Sequence, residues 1–545
     1  MRKKSIQDIM PLIERPSRYL GNEVNIIKKD PDSVKLKFAL VFPDLYEIGT
    51  SHFGLQILYS ILNKKKKIYA ERVFAPGIDM EKHLRALGIP IVSLETKTPV
   101  KDFDIIGFSI LYELNFTNIL NILNLAKIPF YSSERDDSYP LIIGGGPCTC
   151  NPEPIADFFD IIVIGDGENV ILEITDTWIN FKENQNNGKE SLLKSMSKIE
   201  GVYIPAFFKP EYNKIGIQTL NPRQSNYTKV TRVVANNLDT LPFPDTPVVP
   251  YGKPVHDRLR LEIARGCTRG CRFCQAGMIY RPVRERSTET LLGLSEEALA
   301  RTGYEDMSLL SLSTGDYENI VSLMQRIMEN CATKHIAVSL PSLRAGTLTP
   351  ELMSLIKKVR KTGFTIAPEA GTQRLRKFIN KNISKEEIIE TVQNAFDLGW
   401  QVIKLYFMIG LPSESQKDIQ GIVDLVKKLR KIKGKGGNFG KINVSVSTFI
   451  PKPHTPFQWE PQLSLDEAKQ RIRWIRNHLK MPGVRFKWQN PETSMLEGLF
   501  SRGNRKLSRL LVSAHKKGCK FDSWSERFDF RLWQEACEGT GVNID

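Results

Sequence analysis

Residues 264 to 278 read ARGCTRGCRFCQAGM and hold Cys267, Cys271 and Cys274, three of the eight cysteines in a chain of 545 residues. Thiols this close in a long chain suggest a metal or a cluster. Structural zinc asks for four closed ligands, usually supplied as two pairs. Here a second pair is missing, Cys331 falls on a different expected element, and no histidine stands at ligand spacing nearby. An iron–sulfur cubane suits three thiolates better, because one iron then lacks a protein ligand and is open to a small molecule. Three thiols that are merely buried near one another are the remaining alternative.

The motif CTRGCRFC resembles the CxxxCxxC signature of the radical S-adenosylmethionine superfamily. That resemblance implies a [4Fe-4S] cluster on the three cysteines, with S-adenosylmethionine chelated to the open iron through its amino and carboxylate groups. It also implies an electron donor such as flavodoxin or ferredoxin and reductive cleavage of the sulfonium carbon–sulfur bond, the hard chemistry residing in the cofactors. Phe273, between the second and third cysteine, matches the family's aromatic position near the adenine. Ser313, Thr314, Gly315 and Asp316 of LSTGD occupy the place of the family's glycine-glycine-glutamate stretch, a departure that keeps one carboxylate. Further cofactor contacts are expected from Ser339 and Arg344, from Glu369, and from the backbone around Met408 and Gly410. These residues stand at or just beyond expected strand ends, where parallel barrels gather their ligands.

The first part of the chain resembles a cobalamin-binding domain in three places. DLYEIG, from Asp44 to Gly49, stands where that family has DxHxxG; Ser109 to Leu111 match its SxL, and Gly144 to Gly146, with Gly144 and Gly145 as the pair, match its glycines. Tyr46 replaces the histidine that ligates cobalt from below, and His52 is out of register with the motif. The resemblance implies either cobalamin held without a lower protein nitrogen or a Rossmann-like scaffold that has lost it. Cys148 and Cys150 beside the glycines are too few for a second metal, and His454, between prolines in IPKPHTPF, is either an acid–base group at the barrel mouth or a structural residue. The order of parts resembles a cobalamin-binding-domain radical S-adenosylmethionine protein.

The elements that must carry these residues follow from hydrophobic patterning. Apolar runs alternate with amphipathic ones over residues 35–180, as in a doubly wound, flavodoxin-type α/β domain. FDIIGFSILY, PLIIGGGP and DIIVIGDGE read as strands buried on both faces. A segment 1–34 precedes this domain. Residues 181–254 read as a proline-rich linker with a small hairpin in GVYIPAFFKPEYNKIGIQTLNP. Over 255–461 six strand–helix units are expected, which suits a partial (β/α)6 barrel when a full barrel takes roughly 250 residues. Residues 462–545 read as a helical, basic extension.

At this length more than one core is expected. The opening residues, MRKKSIQDIMPLIERPSRYLG, have no long apolar run and no small-residue cleavage site, so a cytoplasmic protein is expected. Net charge is +16, and residues 501–520 contain no acid. A polyanionic partner such as RNA or the ribosome would explain that charge, as would simple surface solubility. Three functions are therefore expected: radical methyl transfer or carbon rearrangement, assisted by cobalamin; a methylthiotransferase-like modification of RNA or ribosome; or a non-catalytic iron–sulfur module. Methylthiotransferases carry a second cysteine-ligated cluster in front, where this chain has only Cys148 and Cys150, so that reading ranks below the first.

Overall fold

The structure is a computed structural model that describes residues 5–184, 188–341, 343, 344, 346, 352, 354, 355, 364–437 and 439–544. The first apolar runs form the strands β1 (Leu36–Phe42), β2 (Ile68–Phe74), β3 (Ile105–Ser109), β4 (Leu141–Gly145) and β5 (Ile161–Val163), with β6 (Val202–Tyr203) at the edge. Their order is β2-β1-β3-β4-β5-β6. All pairings are parallel except the last. In a sheet of this order the chain reverses direction beside β1, and ligands bind in the crevice beyond the strand ends at that point.

A hairpin of β7 (Phe208–Tyr212) and β8 (Gln218–Pro222) follows. The second half then opens with β9 (Leu259–Glu262) and β10 (Ala264–Arg265), the latter paired antiparallel to β11 (Arg284–Glu285). Parallel strands β12 (Asp306–Leu310) and β13 (Ala337–Ser339) extend β9 into a three-stranded sheet. A four-stranded parallel sheet contains β14 (Phe364–Glu369), β15 (Val402–Ile409), β16 (Lys441–Thr448) and β17 (Val484–Trp488). Among the described residues nothing pairs β13 with β14, so no closed barrel is seen. The stretch TPELMSLIKKVR at 349–360, which reads as the helix of one of the six expected units, lies almost wholly outside the described residues.

Two features depart from the expectation for 462–545. Strand β17 adds a seventh parallel strand to the barrel region, pairing with β16 from Ile442↔Val484 to Val446↔Trp488. Its residues, VRFKW, blend into a helical stretch in the sequence because they are partly or fully exposed and mix charges with aromatics; a short edge strand carries no buried apolar run. The last helices, Leu507–Lys517 and Phe530–Thr540, turn back onto the first sheet's side. Leu510, Leu511, Trp533 and Ala536 join the same core as β1, β3 and β4.

Candidate active site

The cluster loop leaves β10 through Gly266, whose φ is +93° and whose added Cβ would meet the Tyr280 carbonyl at 2.6 Å. Only glycine suits that turn. The loop is then tied to the turn after the helix Gln373–Phe378. Arg272 N donates to Ile379 O at 3.0 Å, and Asn380 Nδ2 donates to Gly270 O at 2.9 Å. The three thiols are free of disulfides and partly exposed. Burial raises the pKa of Cys271 and Cys274, and Cys267 adds to the rise at both, as Cys274 does at Cys271. Cations stand beside them: Lys381 acts on Cys271 and Cys274, Arg344 on Cys271, and Arg269 on Cys267 and Cys271. Gly277 N donates to Cys274 Sγ at 3.4 Å. Three thiols on one loop with cations beside them suit a thiolate-held cluster, whose net negative charge needs such compensation. Among the described residues no three or more His, Cys, Asp or Glu side chains stand grouped as a metal-holding set.

Around this loop stand the other expected cofactor contacts. Phe273 and Met408 pack against one apolar cluster, that of Ala370, Leu375, Leu411 and Phe449. Arg269 Nε donates to Asp316 at 2.7 Å and Ser313 Oγ donates to it at 2.7 Å. Burial alone would raise the Asp316 pKa, but these bonds hold it below the usual range. Thr314 is buried and donates to Pro341 O at 2.7 Å, and Gly315 is the middle residue of the 3-10 turn Thr314–Asp316. Ser339 Oγ receives Arg258 at 3.2 Å, while Arg344 donates to Asn382 O at 3.0 Å. Glu369 ends β14 with φ at +68°, a strained conformation for a non-glycine residue that the surrounding structure must hold. Burial raises its pKa against the opposing pull of Lys381, 3.3 Å away. Gly410 (φ +81°) donates its N–H to Glu414 at 2.7 Å.

Between the first sheet and the ends of β9, β10 and β12 lies a cavity of about 500 Å3. Its floor is apolar and comes from β1, β3, β4 and β5, including Phe38, Leu40, Phe108 and Val163. Ser109, Leu111 and Gly144 to Gly146 line it, and its roof includes Arg265, Gly266 and Tyr280. The cluster loop therefore abuts the cavity directly. Gly145 and Gly167 face it with little else near: an added Cβ would meet only Val163 at 3.9 Å and Leu58 at 3.8 Å respectively. Neither needs positive φ, so what a side chain would occupy there is the cavity itself.

Asp44, Tyr46 and Gly49 do not line this cavity. Tyr46 donates to Glu23 at 2.9 Å and accepts from Tyr251 N at 3.0 Å, in a buried network where Glu23 also pairs with Arg72. Asp44 accepts from Trp524 Nε1 at 2.9 Å, and an added Cβ on Gly49 would strike the Phe74 ring at 2.4 Å. In place of Tyr46, His52 lines the cavity. Its Nδ1 accepts from Leu55 N at 3.1 Å, capping the helix Phe53–Lys64.

The chain matches the family described as the radical SAM superfamily over residues 261–426, and over 54–205 that described as radical SAM proteins, N-terminal. It is 30% identical over 512 residues to the uncharacterised protein MJ0966 of Methanocaldococcus jannaschii, covering 91% of this chain and 97% of that one. The chain belongs to the radical SAM superfamily. It is accordingly a radical SAM enzyme, and membership implies a [4Fe-4S] cluster, S-adenosylmethionine and an electron donor. A lesser likeness, 26% over 179 residues, links this radical SAM protein to the ribosomal protein uS12 methylthiotransferase RimO of Thermoanaerobacter sp., covering 31% of this chain and 40% of that one. In fold it is similar to the methyltransferase TsrM from Kitasatospora setae, solved with cobalamin and a [4Fe-4S] cluster bound (TM-score 0.52, 12% identity, 80% of this chain and 78% of that one). It is also similar to the radical enzyme OxsB solved with aqua-cobalamin (TM-score 0.53, 14% identity, 88% of this chain and 66% of that one).

Residues that the sequence reading passed over join the two halves. Arg265, immediately before the cluster loop, pairs with Asp166 at 2.9 Å, Glu168 at 2.6 Å and Glu262 at 2.9 Å. Asp166 also takes Arg284 at 2.5 Å. The signal was present in GDGE after β5, an acidic glycine turn at a strand end. His454 is exposed and bonds the Cys150 carbonyl through Nε2 at 2.8 Å, a contact between the halves. Arg505, expected on a basic surface, is instead buried against Glu153 at 2.9 Å and Tyr203 at 2.7 Å.

Proposed function

We propose that this radical SAM enzyme uses cobalamin to transfer a methyl group to, or rearrange carbon at, an unactivated position. The observation that carries the reading is the 500 Å3 cavity lying at the crevice of the first sheet and roofed by the approach to the cluster loop. Its size lies within the roughly 300–1,000 Å3 of cofactor and ligand sites, and the open spaces before Gly145 and Gly167 suit a broad ligand pressed close to backbone. When bound, the cluster supplies the electron that breaks the sulfonium bond and the corrinoid supplies a methyl carrier.

The chain's own residues bind and orient. Cys267, Cys271 and Cys274 hold the cluster, with Lys381, Arg344 and Arg269 offsetting its charge. We assign Phe273, Met408 and the Gly410 backbone to the adenine, and Ser313, Thr314, Gly315, Asp316, Ser339 and Glu369 to the polar parts of S-adenosylmethionine. The apolar cluster shared by Phe273 and Met408 supports the first assignment, and the carboxylates beside the cationic loop support the second. Ser109, Leu111, Gly144 and Gly145 form the corrinoid's seat. The electron donor is a flavodoxin or ferredoxin.

Anaerobic reconstitution with iron, sulfide and hydroxocobalamin tests this. The expected result is corrinoid uptake by the native chain and its loss in Gly145→Val, a residue suited to a strand end, with iron content retained in both. Failure of the native chain to take up corrinoid would overturn the reading.

A further inference from the structure

A second cavity, of about 750 Å3, adjoins the first and shares Gly146, Gly165 and Tyr280 with it. The turn after β4, the β7–β8 hairpin, the linker around Lys229 to Arg232 and the turn Met278 to Arg281 enclose it. Cys150 is in its wall and receives a hydrogen bond from Gln275 Nε2 to Sγ at 3.0 Å. Since Gln275 follows Cys274, an occupant would stand next to both the cluster loop and the contents of the first cavity.

The chemistry of the wall defines what it would take. Phe208, Leu220, Val230 and Ile279 give it an apolar body. Its acids are Glu153 and Asp166, and both are engaged: Glu153 with Arg505 and Tyr203, Asp166 with Arg265 and Arg284. Arg232 is held by the carbonyls of Ile279 and Arg281. Lys229 and Arg281 are exposed and have no ion-pair or hydrogen-bonding side-chain partner among the described residues. The cavity thus has an apolar interior and two uncommitted cations.

We propose that this cavity binds the substrate and that the substrate is an organic anion, its apolar part against Val230 and Ile279 and its charge met by Lys229 and Arg281. The proposal rests on the reading of the first cavity, which makes the neighbouring space the acceptor's. Isothermal titration of the cluster-reconstituted full chain with 1-naphthaleneacetate and with its neutral isostere 1-naphthaleneacetamide tests it. The acid is expected to bind saturably and about tenfold more tightly than the amide, and the exposed pair Lys229→Glu/Arg281→Glu to erase that preference while leaving the amide unchanged. Absence of saturable binding by the acid, equal affinities, or indifference to the charge reversal would each overturn it. Hydroxocobalamin uptake by the same proteins separates the two ideas. A native chain that takes up no corrinoid but still prefers the acid refutes the reading of the first cavity while the anion site stands. One that takes up corrinoid without that preference refutes the anion site alone.

Discussion

At the scale of single residues the cluster cysteines and His52 make opposed demands on their surroundings. Cys267→Ala, Cys271→Ala and Cys274→Ala are each expected to abolish the oxygen-labile visible absorbance of the anaerobically reconstituted protein. Cys331→Ala should retain it, because Cys331 is buried on the helix Ile320–Thr333, away from the loop. His52 works through neutrality. Its Nδ1 already accepts from Leu55 N, so the neutral ring carries its proton on Nε2 and has no lone pair left for a metal. A corrinoid bound in the cavity and reduced by one electron should therefore show no nitrogen superhyperfine splitting in its electron paramagnetic resonance spectrum; splitting that vanishes in His52→Asn would identify His52 as the lower ligand. Burial, with Arg260 nearby, moves the His52 pKa from 6.5 to about 3. The unfolded chain then binds a proton that the folded chain refuses, so the stabilising contribution is present above 6.5 and is lost as pH falls towards 3. His52→Asn keeps a capping acceptor and cannot titrate. Between pH 7.5 and 5 the native chain should lose at most about 2 kcal/mol more than this variant in denaturant titrations.

Among the elements, the C-terminal helices decide what the basic charge is for. Arg505 precedes the helix Leu507–Lys517 and closes a buried contact with Glu153 and Tyr203 of the first domain. Arg505→Met strands Glu153 in a buried setting and should cost about 3–5 kcal/mol, the usual penalty for half of a buried ion pair, read as a lowered melting temperature. Lys506 and Arg509 are exposed, so reversing both should leave stability within about 0.5 kcal/mol. The same surface positions carry the RNA question: if RNA binds, their reversal flattens its salt dependence, since neutralising fewer phosphates releases fewer counterions.

For the molecule as a whole, the joint at Asp166 couples the two halves. It receives Arg265, Arg284 and the Ala235 N–H, and these hold its pKa below the usual range despite burial. Because Arg265 adjoins the CTRGCRFC loop while Asp166 lines both cavities, the ion network fixes the spacing of that loop and the cavities. Asp166→Ala leaves two arginines short of a partner. Scanning calorimetry should then resolve two transitions where the native chain shows one, with iron content unchanged.

The superfamily motif and the first parallel sheet were legible in the sequence, because cysteine spacing and buried strands are local patterns. CTRGCRFC needs only eight consecutive residues, and LIIGG needs only its own apolar run beside glycine. The motif around Tyr46 misled for the same reason: a local match to DxHxxG says nothing about which way a side chain points, and packing against Phe74 and Glu23 turned it away from the cavity. Strand β17 was hidden because edge pairing depends on a neighbour rather than on its own hydrophobicity. The sequence by itself determined the chemistry of the cluster and the class of fold. Only the tertiary structure decided that His52 rather than Tyr46 faces the cavity, that Arg505 is an internal ion, and that Gly266, Asp166 and Gly145 line one space, since these follow from contacts between residues far apart in the chain whose burial no local pattern records.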